Sequence, residues 1–337
     1  MTDGPRALIL GCQGPRLTPD ERSFFAEAQP WGFILFARNC APPGQVRRLT
    51  GALRDAVGRD APVMIDQEGG RVQRIGPPHW RQYLPPLDQC RAAGPDAPRA
   101  MNLRFRQIAA ELADLGIDVN CAPMADIAEP ETHPFLRNRC YGSEPAGVIA
   151  CARAAADALF DGGLLPVMKH IPGHGRAHVD SHTTVPVVAD DAAALRARDF
   201  APFAALADLP MAMTAHVVYS AFDRNAPATT STAMIRLIRE ELGFGGLLMT
   251  DDISMDALAG DLAARCRAAL AAGCDMVLHC NGELGEMQIA AGIACALTGN
   301  SVNRAAAALA ARRPVRSIDI AAAEAELEAL LHGKVHG

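Results

Sequence analysis

A chain of 337 residues, half of them hydrophobic but only 5% aromatic, can bury a large core built mostly from Ala, Leu, Val, Ile and Met. Its formal net charge of -6 is spread over interspersed signs with no basic block, which argues against nucleic acid or an anionic membrane as partner. No apolar run approaches the roughly 18 residues of a spanning helix, residues 7–10 are too short for a secretory segment, and the ten cysteines show no CxxC pair, so a cytoplasmic protein with reduced thiols is expected.

Short apolar runs alternate with helical patterns along the chain. Strands are predicted at 7–10, 32–37, 62–65, 117–123, 164–168, 211–214, 246–249 and 275–278. Between them, helices are predicted at 44–57, 101–115, 146–159, 191–206, 231–242 and 262–272, several stopped by glycine, as at Gly162, Gly243 and Gly273. Later helices are expected near 283–297, 302–311 and 321–331. The Pro-rich stretch 76–98 (PPHW, LPPL, GPDAP) reads as one elaborated loop after the third strand, because the alternation resumes after it. Eight such units suit an α/β protein folded as a closed (β/α)8 TIM barrel, one domain over residues 1–337 with extra helices at about 300–332.

In such a barrel, chemistry gathers at the C-terminal ends of the strands. Polar side chains fall there repeatedly: Asp66, Asp126, Lys169-His170, His216, Asp251 and Asn281. Asp66 opens IDQEGGRVQR, and a carboxylate there can accept two vicinal sugar hydroxyls while Arg74 donates from its rigid fork. Lys169 and His170, at a strand-to-loop transition, fit a structural ion pair as well as a ligand contact.

The segment 169–182, KHIPGHGRAHVDSH, spaces histidines by four at 170, 174, 178 and 182. Pro172, Gly173 and Gly175 oppose the helix that would stack these rings around a metal, so His174 and His178 read as loop hydrogen-bonding groups. Gly173 and Gly175 are expected as hinges of a loop that closes over a ligand. Asp180, two residues before His182, can fix its tautomer and support its imidazolium form, giving an acid/base near working pH. Of the adjacent Asp251 and Asp252, one can face the barrel mouth while the other caps or pairs nearby. A carboxylate there with an acid/base beside it is the equipment of a retaining glycosidase. A histidine-ligated metallohydrolase and a non-catalytic sugar-binding barrel stand as alternatives.

The motifs KHIPGHG, DSH and MTDDISM, with GFILFARN, VMIDQEGGRVQR, CAPMADI, the PAT at 227–229 and DMVLHCN, resemble the β-N-acetylglucosaminidases of glycoside hydrolase family three, over residues 6–300. The closest kind is the single-domain bacterial enzyme of peptidoglycan recycling. The resemblance implies that Asp251 is the nucleophile, that His182 is the acid/base with Asp180 as its dyad partner, and that Asp66, Arg74, Arg139, Lys169 and His170 hold N-acetylglucosamine. It implies a small-molecule substrate, N-acetylglucosamine β-1,4-linked to anhydro-N-acetylmuramic acid with or without peptide. It implies no metal and no organic cofactor. A monomer is expected, and since the chain leaves no room for the second domain that some members carry, a site built from the barrel alone is expected. One departure is the segment RNRCYG, where Cys140 replaces the family's usual serine and both Arg137 and Arg139 lie close by.

Overall fold

The computed structural model describes residues 4–179 and 184–333. Eight parallel strands close into a barrel: β1 Arg6–Gly11, β2 Pro30–Leu35, β3 Val63–Ile65, β4 Val119–Asn120, β5 Leu165–Ile171, β6 Met211–Thr214, β7 Leu247–Asp252 and β8 Met276–His279. Around the ring they neighbour one another in chain order, and β8 pairs with β1 through Leu8 opposite Val277. Every residue of β2 and of β5 is buried, as a parallel sheet covered on both faces requires, which is why these strands read as unbroken apolar runs. The principal covering helices are α1 Pro19–Ala28, α2 Pro43–Val57, α3 Ala97–Asp114, α4 Pro145–Asp161, α5 Thr232–Arg236, α6 Leu262–Ala272 and α7 Leu284–Ile293.

Three expectations needed correction. The loop 76–98 contains a helix, Pro86–Ala93, because Pro85 and Pro86 stand at its start, where a missing N–H costs nothing. The helix expected over 191–206 is two, Ala192–Ala197 and Ala201–Ala205. Pro202 cannot donate to residue 198 and its ring clashes with that carbonyl, so the chain breaks and restarts with Pro202 in the new first turn. The strand expected over 117–123 is reduced to Val119–Asn120. The C-terminal helices are α8 Gly299–Ala310 and α9 Ile320–Leu330, and α9 is clipped to the barrel by Arg99 Nε on Glu326 at 2.7 Å. None of the described helices is long and apolar enough to cross a membrane.

Two strands slip register near the barrel mouth. β5 shifts against β6 between Lys169 and Ile171, and β7 shifts against β8 between Met249 and Asp252. Such irregularities re-aim side chains at a strand end, and these two fall on the residues the sequence singles out. At the opposite end, Asp275 is 1% exposed and accepts from Arg239 (2.6 Å), Ser301 Oγ (2.6 Å), Arg304 (3.0 Å) and the Leu248 amide (2.9 Å), tying β7, β8 and α8 together. Replacing Asp275 by Ala strands Arg239, only 14% exposed, and should cost about 3 kcal/mol in denaturant unfolding. Replacing Asp114 by Ala, in the exposed pair with Arg47, should cost under about 1 kcal/mol.

Candidate active site

At the C-terminal mouth a cavity of about 200 Å³ opens, walled by Asp66, Arg71, Arg74, Arg139, Lys169, His170, His174, Asp251 and Asp252 and by the apolar Phe36, Phe135, Met213 and Met255. Side chains from the ends of β3, β5 and β7 therefore meet in one place, together with the loop after β4.

An ionic network forms one wall. The Lys169 ammonium, 2% exposed, donates to Asp66 Oδ1 at 2.8 Å and lies 2.6 Å from Glu68 Oε1. Arg139 grips Glu68 with two N–H groups, at 3.0 and 2.8 Å, and Arg74 donates to Asp66 Oδ2 at 3.1 Å. A buried ammonium is costly unless paired, and here two carboxylates share it. Burial alone would raise the carboxyl pKa values, but Lys169 and Arg74 outweigh it at Asp66 and hold that group well below the usual range. Arg139 and Lys169 do the same at Glu68, bringing it down to about 2. Burial opposes the charge on Lys169, yet Asp66 and Glu68 raise its pKa. Arg74 also rests on the Phe36 ring, 5.0 Å from its centroid. The network still offers free N–H groups on Lys169 and the arginines, and free lone pairs on Asp66, suited to a ligand dense in hydroxyls.

The second wall carries the candidate nucleophile. Asp251 Oδ1 accepts the Asp252 amide at 2.8 Å, and its Oδ2 stands 3.9 Å from His170 Nε2. Burial pushes Asp251 up, but the His170 and His216 imidazoles and the Asp252 amide more than offset that and hold it below the usual carboxylate range. Asp252 has a different occupation: it accepts from Ser254 Oγ (2.9 Å), the Ser254 amide and the Cys280 amide (both 3.1 Å), fixing the turn after β7. His170 is oriented from behind, its Nδ1 2.8 Å from the fully buried Asp126, which also accepts the His174 amide at 2.6 Å.

The five sequence-predicted sugar-binding residues, Asp66, Arg74, Arg139, Lys169 and His170, thus line one cavity with Asp251. Arg139 rather than Arg137 reaches it; Arg137 lines a separate surface cavity. Cys140 is fully buried beneath, its thiol 3.6 Å from the Leu136 carbonyl. Asp180 and His182 lie outside the described residues. His216 is buried away from the cavity, with Nδ1 2.7 Å from Thr229 Oγ1 and Nε2 2.9 Å from the Asp252 carbonyl. Asn281 pairs with Glu286 on the exposed side. Among the described residues no group of three or more His, Cys, Asp or Glu is placed to hold a metal.

The expected hinges are tied down instead. Tyr219 Oη donates to the Gly173 carbonyl, Thr132 Oγ1 to the Gly175 carbonyl, and the His133 amide to the Ala177 carbonyl at 3.1 Å. A Cβ on Gly175 would stand 1.9 Å from the Ile127 carbonyl, so that glycine serves close packing. His178 does bond the loop, through Nδ1 to the Glu131 carbonyl at 3.2 Å. His174 does more than expected: its ring faces the cavity, its Nδ1 has no partner among the described residues, and burial lowers its pKa to about 4. Glu68 escaped the sequence reading although it sits two residues beyond Asp66, the spacing that returns a side chain to the same face of an extended chain.

Comparison with known proteins agrees over most of the chain. The model of the glycosyl hydrolase family 3 N terminal domain matches residues 10–315. A β-hexosaminidase of Methylococcus capsulatus is 39% identical over 273 residues, 80% of each chain, and one of Pseudomonas aeruginosa is 36% identical over 292 residues, 85% of this chain and 86% of that one. Among solved structures, NagZ from Neisseria gonorrhoeae in complex with N-trifluoroacetyl-D-glucosamine superposes with a TM-score of 0.86 at 27% identity, covering 98% of this chain and 99% of that one. A family 3 β-N-acetylglucosaminidase from Paenibacillus gives 0.79 at 26% identity, over 98% of this chain and 62% of that one.

The depressed carboxylates predict acid behaviour. Glu68 binds its proton at about 2 in the folded chain against 4.5 as the ordinary value, so its contribution to stability is full above pH 4.5 and fades as pH falls toward 2. Unfolding free energy should therefore drop across that window, and Glu68→Gln, less stable at neutral pH, should show a shallower drop. Equal slopes for the two proteins would contradict the pairing.

Proposed function

The chain belongs to glycosyl hydrolase family 3 and is a glycoside hydrolase of the β-hexosaminidase kind, and from that premise we propose a retaining β-N-acetylglucosaminidase that works through a covalent glycosyl-enzyme on Asp251. The observation that carries the proposal is the state of Asp251: an ionised carboxylate that lines the cavity, with Oδ1 held by the Asp252 amide and Oδ2 3.9 Å from His170 Nε2. An anchored anion at the barrel mouth can attack an anomeric carbon without first losing a proton.

In this reading Asp66 accepts two sugar hydroxyls, while Arg74, Lys169, Arg139 and His170 donate to the remaining sugar oxygens. His182, oriented by Asp180, protonates the departing glycosidic oxygen and then takes a proton from the water that releases the sugar. The β configuration is kept because two displacements occur at the same carbon. The cavity suits one terminal pyranose, which fits removal of N-acetylglucosamine from peptidoglycan fragments, namely its β-1,4 linkage to anhydro-N-acetylmuramic acid with or without peptide. We further infer that one barrel domain carries the whole activity, as a monomer working in the cytoplasm.

Three substitutions test the assignment. Asp251→Ala should lower kcat/KM to below about a thousandth on every substrate. His182→Ala should lower kcat/KM by about 10²–10⁴-fold on a disaccharide, whose leaving alkoxide needs a proton, and by far less on an aryl glycoside with an acidic phenol. His170→Ala should slow both substrates alike. If instead the leaving-group dependence appears in His170→Ala and not in His182→Ala, the acid/base is the Asp126–His170 pair and the proposed dyad is wrong.

A further inference from the structure

One buried polar group on the cavity wall takes no part in the proposed reaction. Lys169 is paired with Asp66 and Glu68, Arg139 with Glu68, and His170 with Asp126. His174, 3% exposed, lines the same cavity, yet neither of its ring nitrogens makes a hydrogen bond among the described residues. Nδ1 is shut off from solvent as well, and Nε2 is not, so the ring meets the cavity through its Nε2 edge. A buried polar group without a partner is costly in an empty site and marks a place where a ligand can supply one.

The ring is held in position before any ligand binds. The His174 amide donates to Asp126 Oδ1 at 2.6 Å, and Asp126 Oδ2 lies 2.8 Å from His170 Nδ1, so one buried carboxylate sets both histidines. The two rings meet edge to face with centroids 5.5 Å apart. The chain on either side is fixed too: Tyr219 Oη donates to the Gly173 carbonyl, and the Ala177 amide donates to the His174 carbonyl at 3.0 Å. Burial, helped by the neighbouring His170, lowers the His174 pKa to about 4, so the imidazole is neutral at working pH. A neutral imidazole carries one N–H and one lone pair. An N–H at Nδ1 would be a sealed donor with nothing to meet, an arrangement folded proteins rarely tolerate, so the proton belongs on Nε2. His174 thus presents the cavity with a fixed, neutral donor, and the hydroxyl and acetamido oxygens of a hexosamine are matching acceptors. We propose that His174 is a further substrate-contacting residue, donating from Nε2 to an oxygen of the bound N-acetylhexosamine. This rests on the cavity being the sugar site of the glycosidase proposed above.

Two substitutions and one spectrum test this. His174→Phe keeps an aromatic ring and removes both nitrogens, whereas His174→Gln keeps a side-chain N–H. On an aryl N-acetyl-β-glucosaminide, His174→Phe should lose about tenfold in kcat/KM, the scale of one neutral hydrogen bond, while melting within a few degrees of the wild type. His174→Gln should recover part of that loss. The ring itself gives a readout that a packing role would not move. In protein carrying isotope-labelled histidine, the nitrogen resonances should report a proton on Nε2 of His174, and N-acetylglucosamine should shift the Nε2 signal. Should His174→Phe fail to fold, that spectrum decides alone. Activity of His174→Phe within about twofold of the wild type, a proton on Nδ1, or an Nε2 signal that the sugar leaves in place overturns the contact while leaving the glycosidase reading intact. A wild-type protein that neither binds the sugar nor cleaves the glycoside sinks that reading, and this inference with it.

Discussion

The interaction on which the site depends is the buried ammonium of Lys169, shared between Asp66 and Glu68 at 2.8 and 2.6 Å. It joins the segment after β3 to the end of β5 at the barrel mouth, where carboxylates and cations are buried together. Removing any member leaves another charge in a place that water reaches poorly. The network therefore sets geometry before any ligand arrives. Arg139 is drawn inward by Glu68, Arg74 is drawn over Phe36 by Asp66, and both line the cavity with Lys169. Such a surface is charged in its parts and nearly neutral as a whole, which suits an uncharged ligand rich in hydroxyls.

Because those cations are occupied with Asp66 and Glu68, none of them forms an ion pair with Asp251. Its Oδ2 lies 3.9 Å from His170 Nε2, and that ring is steered by Asp126 from the far side. The two adjacent aspartates at the end of β7 divide the work. Asp252 ties the following turn to β8 through the Ser254 and Cys280 amides, and its own amide steadies Asp251. A carboxylate that is fixed, ionised and free of a tight salt bridge is what nucleophilic attack asks of it.

Much of this was legible in the sequence. Most of the apolar runs are unbroken because parallel strands are buried on both faces; of the polar residues that stop them, Asp66, Lys169, His170 and Asp251 reach the cavity, while Asp126, His216 and Asn281 do not. The misreadings have physical causes. Pro85 and Pro86 read as loop markers in the sequence but open a helix, and Pro202 falls inside a predicted helix that it breaks. Gly173 and Gly175 read as hinges because sequence cannot show that their carbonyls are bonded or that Ile127 packs against the latter. Glu68 and His174 depend on partners distant in sequence, Arg139 for one and the Asp126 pocket for the other; the two-residue spacing from Asp66 marks the position of Glu68 but not its partner.

The central claim is that the Asp251 carboxylate becomes covalently bonded to the anomeric carbon. The most direct measurement is to trap the enzyme with a fluorinated N-acetylglucosaminyl donor, digest it, and locate the added mass by sequencing the modified peptide. The account predicts one sugar per chain, attached at Asp251 in the peptide that contains MTDDISM. A sugar attached at Asp252, Asp66 or any other side chain, or turnover of the donor with inversion and no adduct, would contradict it.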